Sequence, residues 1–391
     1  MAKIVILSGD FPPHSKGTGK SAYRLAKYLN LKYKHEISII TGDRMHSFNI
    51  SPVREILLPF FKKDYVEIGS KWKIYRMQVP KVPLFQNLVH SIKISKYLRT
   101  EKPDYIFIIS PAIYYSPKNI PYSIKNGGCN YIAKISNNSL DSPYQFYFKL
   151  FYFLIYFLEK RLFQKAEKII SVSKFESLVV SKYYNIENTK STHSPNGIEK
   201  MDENPPILSR KGIKSILFVG SLTELKGSEI LINAFHEISQ KHIDLTFNIV
   251  GDGPLYHSIL KYIKENNITR IKCRGYLPSK EIVKYYRQAD LIIIPSLYDG
   301  CPNVLLEAFG FNIPVIGSNV GGIKELIVHE KTGVLIKPGN SCEIVYAVNY
   351  LLQNEGIYEK IKSNILKKKK EMTWFERIDI FQNIIEESES F

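Results

Sequence analysis

The sequence predicts an α/β chain of two successive open, mostly parallel sheets, and three observations carry that expectation. Short runs rich in Ile, Val and Phe alternate with longer stretches at helical period, the pattern of strand–helix–strand units. The pattern stops in a polar, Pro-rich stretch near residue 200 and then restarts. A length of 391 residues suits two such domains better than one.

In chain order, the first half offers strands at residues 3–7, 37–41, 105–109, 131–135 and 168–172. The second half offers them at 215–219, 246–250, 271–274, 291–294 and 314–316. Between the halves, Ser194-Pro195-Asn196-Gly197 and Asp202-Glu203-Asn204-Pro205-Pro206 carry no apolar period and read as a linker. The first domain is therefore expected over 1–198, with the second beginning at 199.

Composition narrows the surroundings. The opening apolar run is too short for a signal peptide and lacks a small-residue cleavage site, so a cytoplasmic location is expected. Cys129, Cys273, Cys301 and Cys342 show neither C-x-x-C pairing nor His partners at metal spacing, which predicts free thiols and no metal site. The formal net charge of +17 is one-sided: residues 1–200 hold 31 Lys and Arg against 14 Asp and Glu, and the remainder balances at 23 against 23. Such a surface suits a lipid head group, a phosphorylated glycan or nucleic acid, or else reflects Lys on solvated faces. The aromatic stretch 144–158, YQFYFKLFYFLIYFL, is interrupted by Lys149 and too short to span a bilayer. It reads either as a buried helix or as an aromatic face lying on a membrane beside Lys160, Arg161 and Lys165.

Several loops carry chemistry. Gly17-Thr18-Gly19-Lys20-Ser21 has the second half of a phosphate loop, but His14 stands where the first Gly belongs, and Pro12 and Pro13 stiffen the turn. What remains is a Gly-containing loop ahead of a helix beginning near Lys20, whose N–H groups can face an anion. In the second half, Lys226-Gly227 follows a strand and opens an amphipathic helix. Gly251-Asp252-Gly253-Pro254 repeats the device, with glycines for a tight turn and Pro for a first helical turn. The densest signal runs from Pro295 to Ala308, after the strand at 291–294, where open α/β sheets bind ligands. Asp299 and Glu307, eight residues apart around Gly300-Cys301-Pro302-Asn303, suit a ligand with hydroxyl pairs on one side and phosphates on the other. The structural alternative is a helix cap at Asp299 and an ion pair at Glu307.

Taken in order, the glycines near the start, Pro195-Asn196-Gly197-Ile198, Val219-Gly220 with Lys226-Gly227, Val250 to Pro254, Asp299-x7-Glu307-Ala308, Ile313-Pro314-Val315-Ile316 and Gly321-Gly322-Ile323-x-Glu325 resemble glycosyltransferase family 4. That resemblance implies a GT-B fold, in which two Rossmann-like domains face each other across a cleft. It also implies a second domain over 199–374 and a last helix, 375–391, returning to the first. It further implies a retaining, metal-independent transfer without cofactor, from a nucleotide-diphosphate-sugar to a glycan or lipid-linked acceptor. In those terms Lys226, Asp299 and Glu307 form the catalytic set: Lys226 neutralises the diphosphate, Asp299 contacts the donor sugar and Glu307 binds the ribose hydroxyls. Gly17, Gly19, Ser221, Gly251, Gly253, Pro254, Leu277, Gly300, Cys301, Pro302 and Asn303 complete the donor site. Asn137 and Asn138 lie on the acceptor side. The chain departs from the pattern with Asp299 for Glu, Ser221 for Arg, and Ser136-Asn137-Asn138 where many members carry a His. The charge and aromatic signals then predict peripheral docking on the inner face of an anionic membrane, and the resemblance implies a place in cell-surface polysaccharide, lipopolysaccharide or glycolipid biosynthesis; the first half lacks any recognised nucleic-acid-binding module, so no nucleic-acid partner is expected. The rival reading is a GT-B protein that binds a nucleotide sugar without transferring it.

Overall fold

The computed structural model describes residues 1–8, 17–44, 65–68, 72–79, 93–94, 96–109, 122–126, 156–157, 159–199 and 212–389. The strand expected at 131–135, most of the aromatic stretch 144–158, Cys129, Asn137, Asn138 and the Pro-rich segment 202–206 lie outside the described residues. The chain divides into two units: Met1–Pro195 joined by Arg377–Phe391, and Asn196–Glu376.

The first unit is built on an eight-stranded sheet. Its strands are β1 (Lys3–Ser8), β2 (Glu36–Arg44), β3 (Tyr65–Ile68), β4 (Lys73–Val79), β5 (Tyr105–Ile109), β6 (Tyr122–Asn126), β7 (Ile169–Ser171) and β8 (Ser191–His193). They lie in the order β3-β4-β2-β1-β5-β6-β7-β8, parallel throughout except for β3 against β4. All of β5 is buried, as a parallel strand covered on both faces must be. The first helix, α1 (Gly17–Tyr33), starts at Gly17 rather than near Lys20, so both glycines sit in its first turn. It buries Ala22, Leu25, Ala26 and Leu29, the stripe one helix face presents. A second helix, α2 (Lys174–Tyr184), is capped by Ser173, whose side chain accepts from the Glu176 N–H, and ends at Asn185 in the left-handed region. The terminal helix Asp379–Glu389 completes this unit: Asp379 pairs with Lys32 at 2.6 Å, Glu387 with Lys168 at 3.3 Å, and the Phe381 ring meets Phe107 edge-on at 5.7 Å.

The second unit has a six-stranded, wholly parallel sheet: β9 (Ser215–Val219), β10 (Thr246–Val250), β11 (Ile271–Cys273), β12 (Leu291–Ile294), β13 (Val315–Ser318) and β14 (Val334–Ile336). Their order is β11-β10-β9-β12-β13-β14. The chain therefore winds one way from β9 to β11 and the other way from β12 to β14, and the direction reverses between β9 and β12. Helices α3 (Ser228–Lys241), α4 (Tyr256–Glu265), α5 (Ser279–Gln288) and α6 (Asn303–Gly310) connect the strands. Where the chain enters and leaves this unit, the two segments are tied together. Ile198 N–H donates to the Met372 carbonyl at 2.7 Å, and Trp374 N–H donates to the Ile198 carbonyl at 3.1 Å.

Candidate functional site

The reversal between β9 and β12 opens a crevice at the carboxyl ends of those two strands, the place where a doubly wound sheet receives ligands. The loop after β9 ends in a 3-10 turn, Glu224–Lys226, whose start is fixed by Thr223: its side-chain oxygen accepts from the Lys226 N–H at 3.3 Å. Gly227 then takes φ +69°, a left-handed conformation costly for other residues. A Cβ there would strike the Pro295 carbonyl oxygen, so Gly227 also lets the loop after β12 approach. The two loops are joined by Leu297 N–H donating to the Leu225 carbonyl at 2.9 Å. The consequence is a direct ion pair: the Lys226 ammonium donates to Asp299 Oδ2. Lys226 keeps 31% of its side chain exposed and Asp299 12%, so the pair stays within reach of solvent while each group holds the other. From the next loop, Gly322 N–H donates to the Asp299 carbonyl at 2.9 Å and fixes its backbone.

The loop after β10 is bound into the same assembly. Leu222 N–H donates to the Asp252 carbonyl at 3.0 Å, and Leu255 N–H donates back to the Leu222 carbonyl at 3.1 Å. Gly251 packs against the Gly220 carbonyl, where a side chain would clash. Helices α3, α4 and α6 all start at this edge, after Gly227, Leu255 and Pro302, and none has a side-chain cap on its first N–H groups. The aligned dipoles give the edge a positive field, although the Ser228 and Tyr256 N–H groups donate to the Thr223 and Gly253 carbonyls. The site thus combines one paired ammonium with three helix N-termini, a combination that can bind a polyanion.

Glu307 sits on α6, five residues into the helix, and is half-buried. Its Oε2 accepts a 2.6 Å hydrogen bond from the Tyr286 hydroxyl, on α5. Tyr286 is buried and its ring stacks on Phe311 at 5.1 Å with the planes 7° apart. Burial, then the Glu307 charge and the hydrogen bond to it, push the phenol well above its ordinary range, so it remains a donor. Sequence reading missed Tyr286. Its only signal was helical spacing from Ile282 and Val283, which marks an inward position but not a polar task.

Of the residues singled out in the sequence, Lys226 and Asp299 meet directly, and the turns carrying Ser221, Gly251 and Gly253 are hydrogen-bonded into one group of loops with them. Ser221 and Pro254 are exposed, Cys301 and Leu277 half-buried, and Gly300 and Pro302 buried. Asn303 opens α6 and its Oδ1 accepts from Asn196 Nδ2 at 3.3 Å. Glu307 pairs with Tyr286, not with Asp299, among the described residues. Gly17 and Gly19 belong to the other unit, at the start of α1. Among the described residues, no group of three or more His, Cys, Asp or Glu is placed to hold a metal ion, and no helix is long and apolar enough to cross a membrane.

Two Rossmann-like units, one of them wound in the order that places a polar crevice between its first and fourth strands, define a GT-B fold. Residues 200–368 match the family model for glycosyl transferases, group 1. Among curated proteins, the chain is similar to an uncharacterized glycosyltransferase of Methanocaldococcus jannaschii, 29% identical over 210 residues, which are 54% of this chain and 56% of that protein. The chain spans about half the length of the first curated relatives it matches. Among solved structures it resembles sucrose-phosphate synthase from Thermosynechococcus elongatus, with a TM-score of 0.78, 15% identity and 100% of both chains covered. It also resembles HepE of Anabaena in complex with UDP, with a TM-score of 0.67, 18% identity and 100% of both chains covered. At these identities the structural likeness speaks for the fold.

Proposed function

We propose that the chain is a retaining, family 4 type glycosyltransferase. It moves a hexose from a nucleotide-diphosphate-sugar to a glycan or lipid-linked acceptor in cell-surface polysaccharide or glycolipid assembly. The observation that carries this reading is the Lys226–Asp299 pair at the switch point of the second sheet, beside three helix N-termini without side-chain caps. The match of residues 200–368 to glycosyl transferases, group 1, and the UDP held by HepE, support it.

In this mechanism the bond from the anomeric carbon to the diphosphate oxygen breaks as that carbon gains oxocarbenium character. Negative charge grows on the leaving diphosphate, and the Lys226 ammonium and the N–H groups at the start of α6 stabilise it where it develops. The acceptor hydroxyl attacks from the face the diphosphate leaves, and a diphosphate oxygen takes its proton. Asp299 contacts the donor sugar, and Glu307 accepts hydrogen bonds from the ribose hydroxyls.

A membrane-bound acceptor is supported by the basic first half and by side chains it exposes. Phe157, Phe175 and Leu178 are exposed, as are Arg161, Lys165, Lys174 and Lys182, on α2 and the helical segment before it. These two segments pack through Phe163 stacked on Tyr184 at 4.5 Å and Tyr156 against Tyr183. Peripheral attachment to the inner face of the membrane follows from this reading.

The test is a thermal-shift screen of nucleotide sugars on the full chain, followed by release of nucleoside diphosphate with and without acceptor. A ligand at a hundredfold excess over its dissociation constant raises apparent stability by about 2.7 kcal/mol. Acceptor-dependent release with an α-linked product from an α-linked donor is expected; binding with no release for any acceptor would leave a binding protein instead. Activity should survive EDTA, because Lys226 and the helix termini supply the positive field a metal ion otherwise gives. Complete loss on chelation, restored by Mn²⁺ or Mg²⁺, would refute that part.

A further inference from the structure

We infer that Tyr286 is the positioning residue that sets the ribose specificity of the donor site, by locking the Glu307 carboxylate in the orientation a vicinal diol needs. The inference rests on the proposed role of Glu307. Glu307 and Phe311 are four residues apart, so they share one side of the chain as α6 closes, and Phe311 N–H donates to the Glu307 carbonyl at 3.0 Å. Tyr286 bridges the two: its ring stacks on Phe311, and its hydroxyl reaches Glu307 Oε2. The clamp therefore comes from a ring that is itself fixed on both faces of its task, by stacking and by burial.

A carboxylate has about four lone-pair positions on two oxygens. Tyr286 occupies one on Oε2, and among the described residues Oε1 has no hydrogen-bond partner. That geometry leaves the second oxygen and the remaining lone pair of the first for two neighbouring hydroxyl donors. A free glutamate side chain would have to be frozen on binding, whereas this one is already held. Because the phenol stays protonated, the clamp persists across the working pH range and does not compete for the ligand's protons. A Phe would bury and stack the ring as well; what the Tyr286 hydroxyl adds is the bond to the half-buried Glu307 carboxylate.

The experiment uses the full chain and whichever of UDP, GDP and ADP binds it most tightly, together with the 2′-deoxy and 3′-deoxy forms of that nucleotide. Wild type is expected to favour the ribonucleotide by roughly tenfold or more over a deoxy form, the size of one hydrogen bond to a charged group. Tyr286→Phe, which keeps the stack on Phe311, should weaken the ribonucleotide about tenfold and the deoxy forms much less, so that the ratio collapses. Phe311→Leu, which removes the stacking partner and keeps the hydroxyl, should lower the ratio by a smaller factor. The ratio is internal to each protein, so a lowered melting temperature alone does not change it. A wild-type ratio in both variants overturns the inference. Glu307→Gln separates this failure from failure of the underlying reading: if it too keeps the wild-type ratio, Glu307 does not bind the ribose at all.

Discussion

Lys226 and Asp299 neutralise each other, so a diphosphate that is to use the ammonium must compete with a carboxylate for it. Asp299→Asn is accordingly expected to bind nucleoside diphosphate severalfold more tightly than wild type, while sugar transfer falls because the donor sugar loses its contact. Weaker diphosphate binding by Asp299→Asn in a calorimetric titration would show that the pair does not compete. Lys226→Ala should lower kcat more than it weakens ground-state binding, by about 3 kcal/mol or roughly a hundredfold, because its partner charge grows during the reaction. Equal turnover by wild type and Lys226→Ala would remove Lys226 from the chemistry. A second carboxyl matters for stability instead. Glu159 is buried, accepts from the Tyr184 hydroxyl at 2.7 Å, and burial pushes it from 4.5 up to about 7. The folded state then holds the proton more tightly than the unfolded chain. The stability this contributes is complete below pH 4.5 and is lost as pH rises through about 7, a swing on the order of 3 kcal/mol. Melting curves of wild type and Glu159→Gln should diverge over that window, with the variant the more stable above it; parallel curves from pH 5 to 8 would contradict the assignment.

At the scale of elements, the loops after β9 and β12 depend on one backbone position. Gly227→Ala must adopt a left-handed φ and also displace the Pro295 carbonyl, whereas Gly212, at φ +72°, has open space around it. Gly212→Ala should cost about 1 kcal/mol for the backbone alone, and Gly227→Ala at least about 2 kcal/mol together with much of the activity. Equal urea midpoints for the two variants would show that the loop contact carries no weight. The ends of β5, β9, β10 and β12 are legible in the sequence: β5 and β12 are continuous apolar runs buried along their whole length, and β9 and β10 are mostly apolar runs ending in Val219 and Val250 ahead of Gly-marked turns. Reading the sequence passed over β3, β4, β6, β8 and β14. In β6 the buried residues include Ser123 and Lys125, and β8 is Ser-Thr-His, so strand formation there follows from pairing with neighbours that a local pattern does not contain. The site divides in the same way. Lys226 and Asp299 stand out because they follow strands in Gly- and Pro-marked loops, and Glu307 because it lies one turn into the helix after the second of these loops. That Lys226 and Asp299 touch is a relation across 73 residues, and that Tyr286 rather than Tyr285 holds Glu307 depends on which way α5 faces the sheet.

At the scale of the whole molecule, charge and connectivity are both unevenly placed. The +17 excess of residues 1–200 and the exposed Phe157, Phe175 and Leu178 predict that the full chain co-sediments with anionic vesicles at low salt and poorly with neutral ones. A remainder resistant to high salt should shrink in Leu178→Asp, because apolar insertion is not screened. A chain that stays in the supernatant with both lipids at low salt assigns the lysines to ordinary solvation. Connectivity has a different outcome. The first unit is completed only by Arg377–Phe391, with Phe381 packed on Phe107 and Asp379 bound to Lys32 and Tyr33, whereas the second unit is contained between residues 196 and 376. On a ribosome, domains ordinarily mature from the amino end onward. Here the order is inverted: the later-made unit has all its residues before the earlier one does, and the eight-stranded sheet of the basic half, its strands all made by residue 193, goes without the helix Asp379–Glu389 until the second unit has been synthesised.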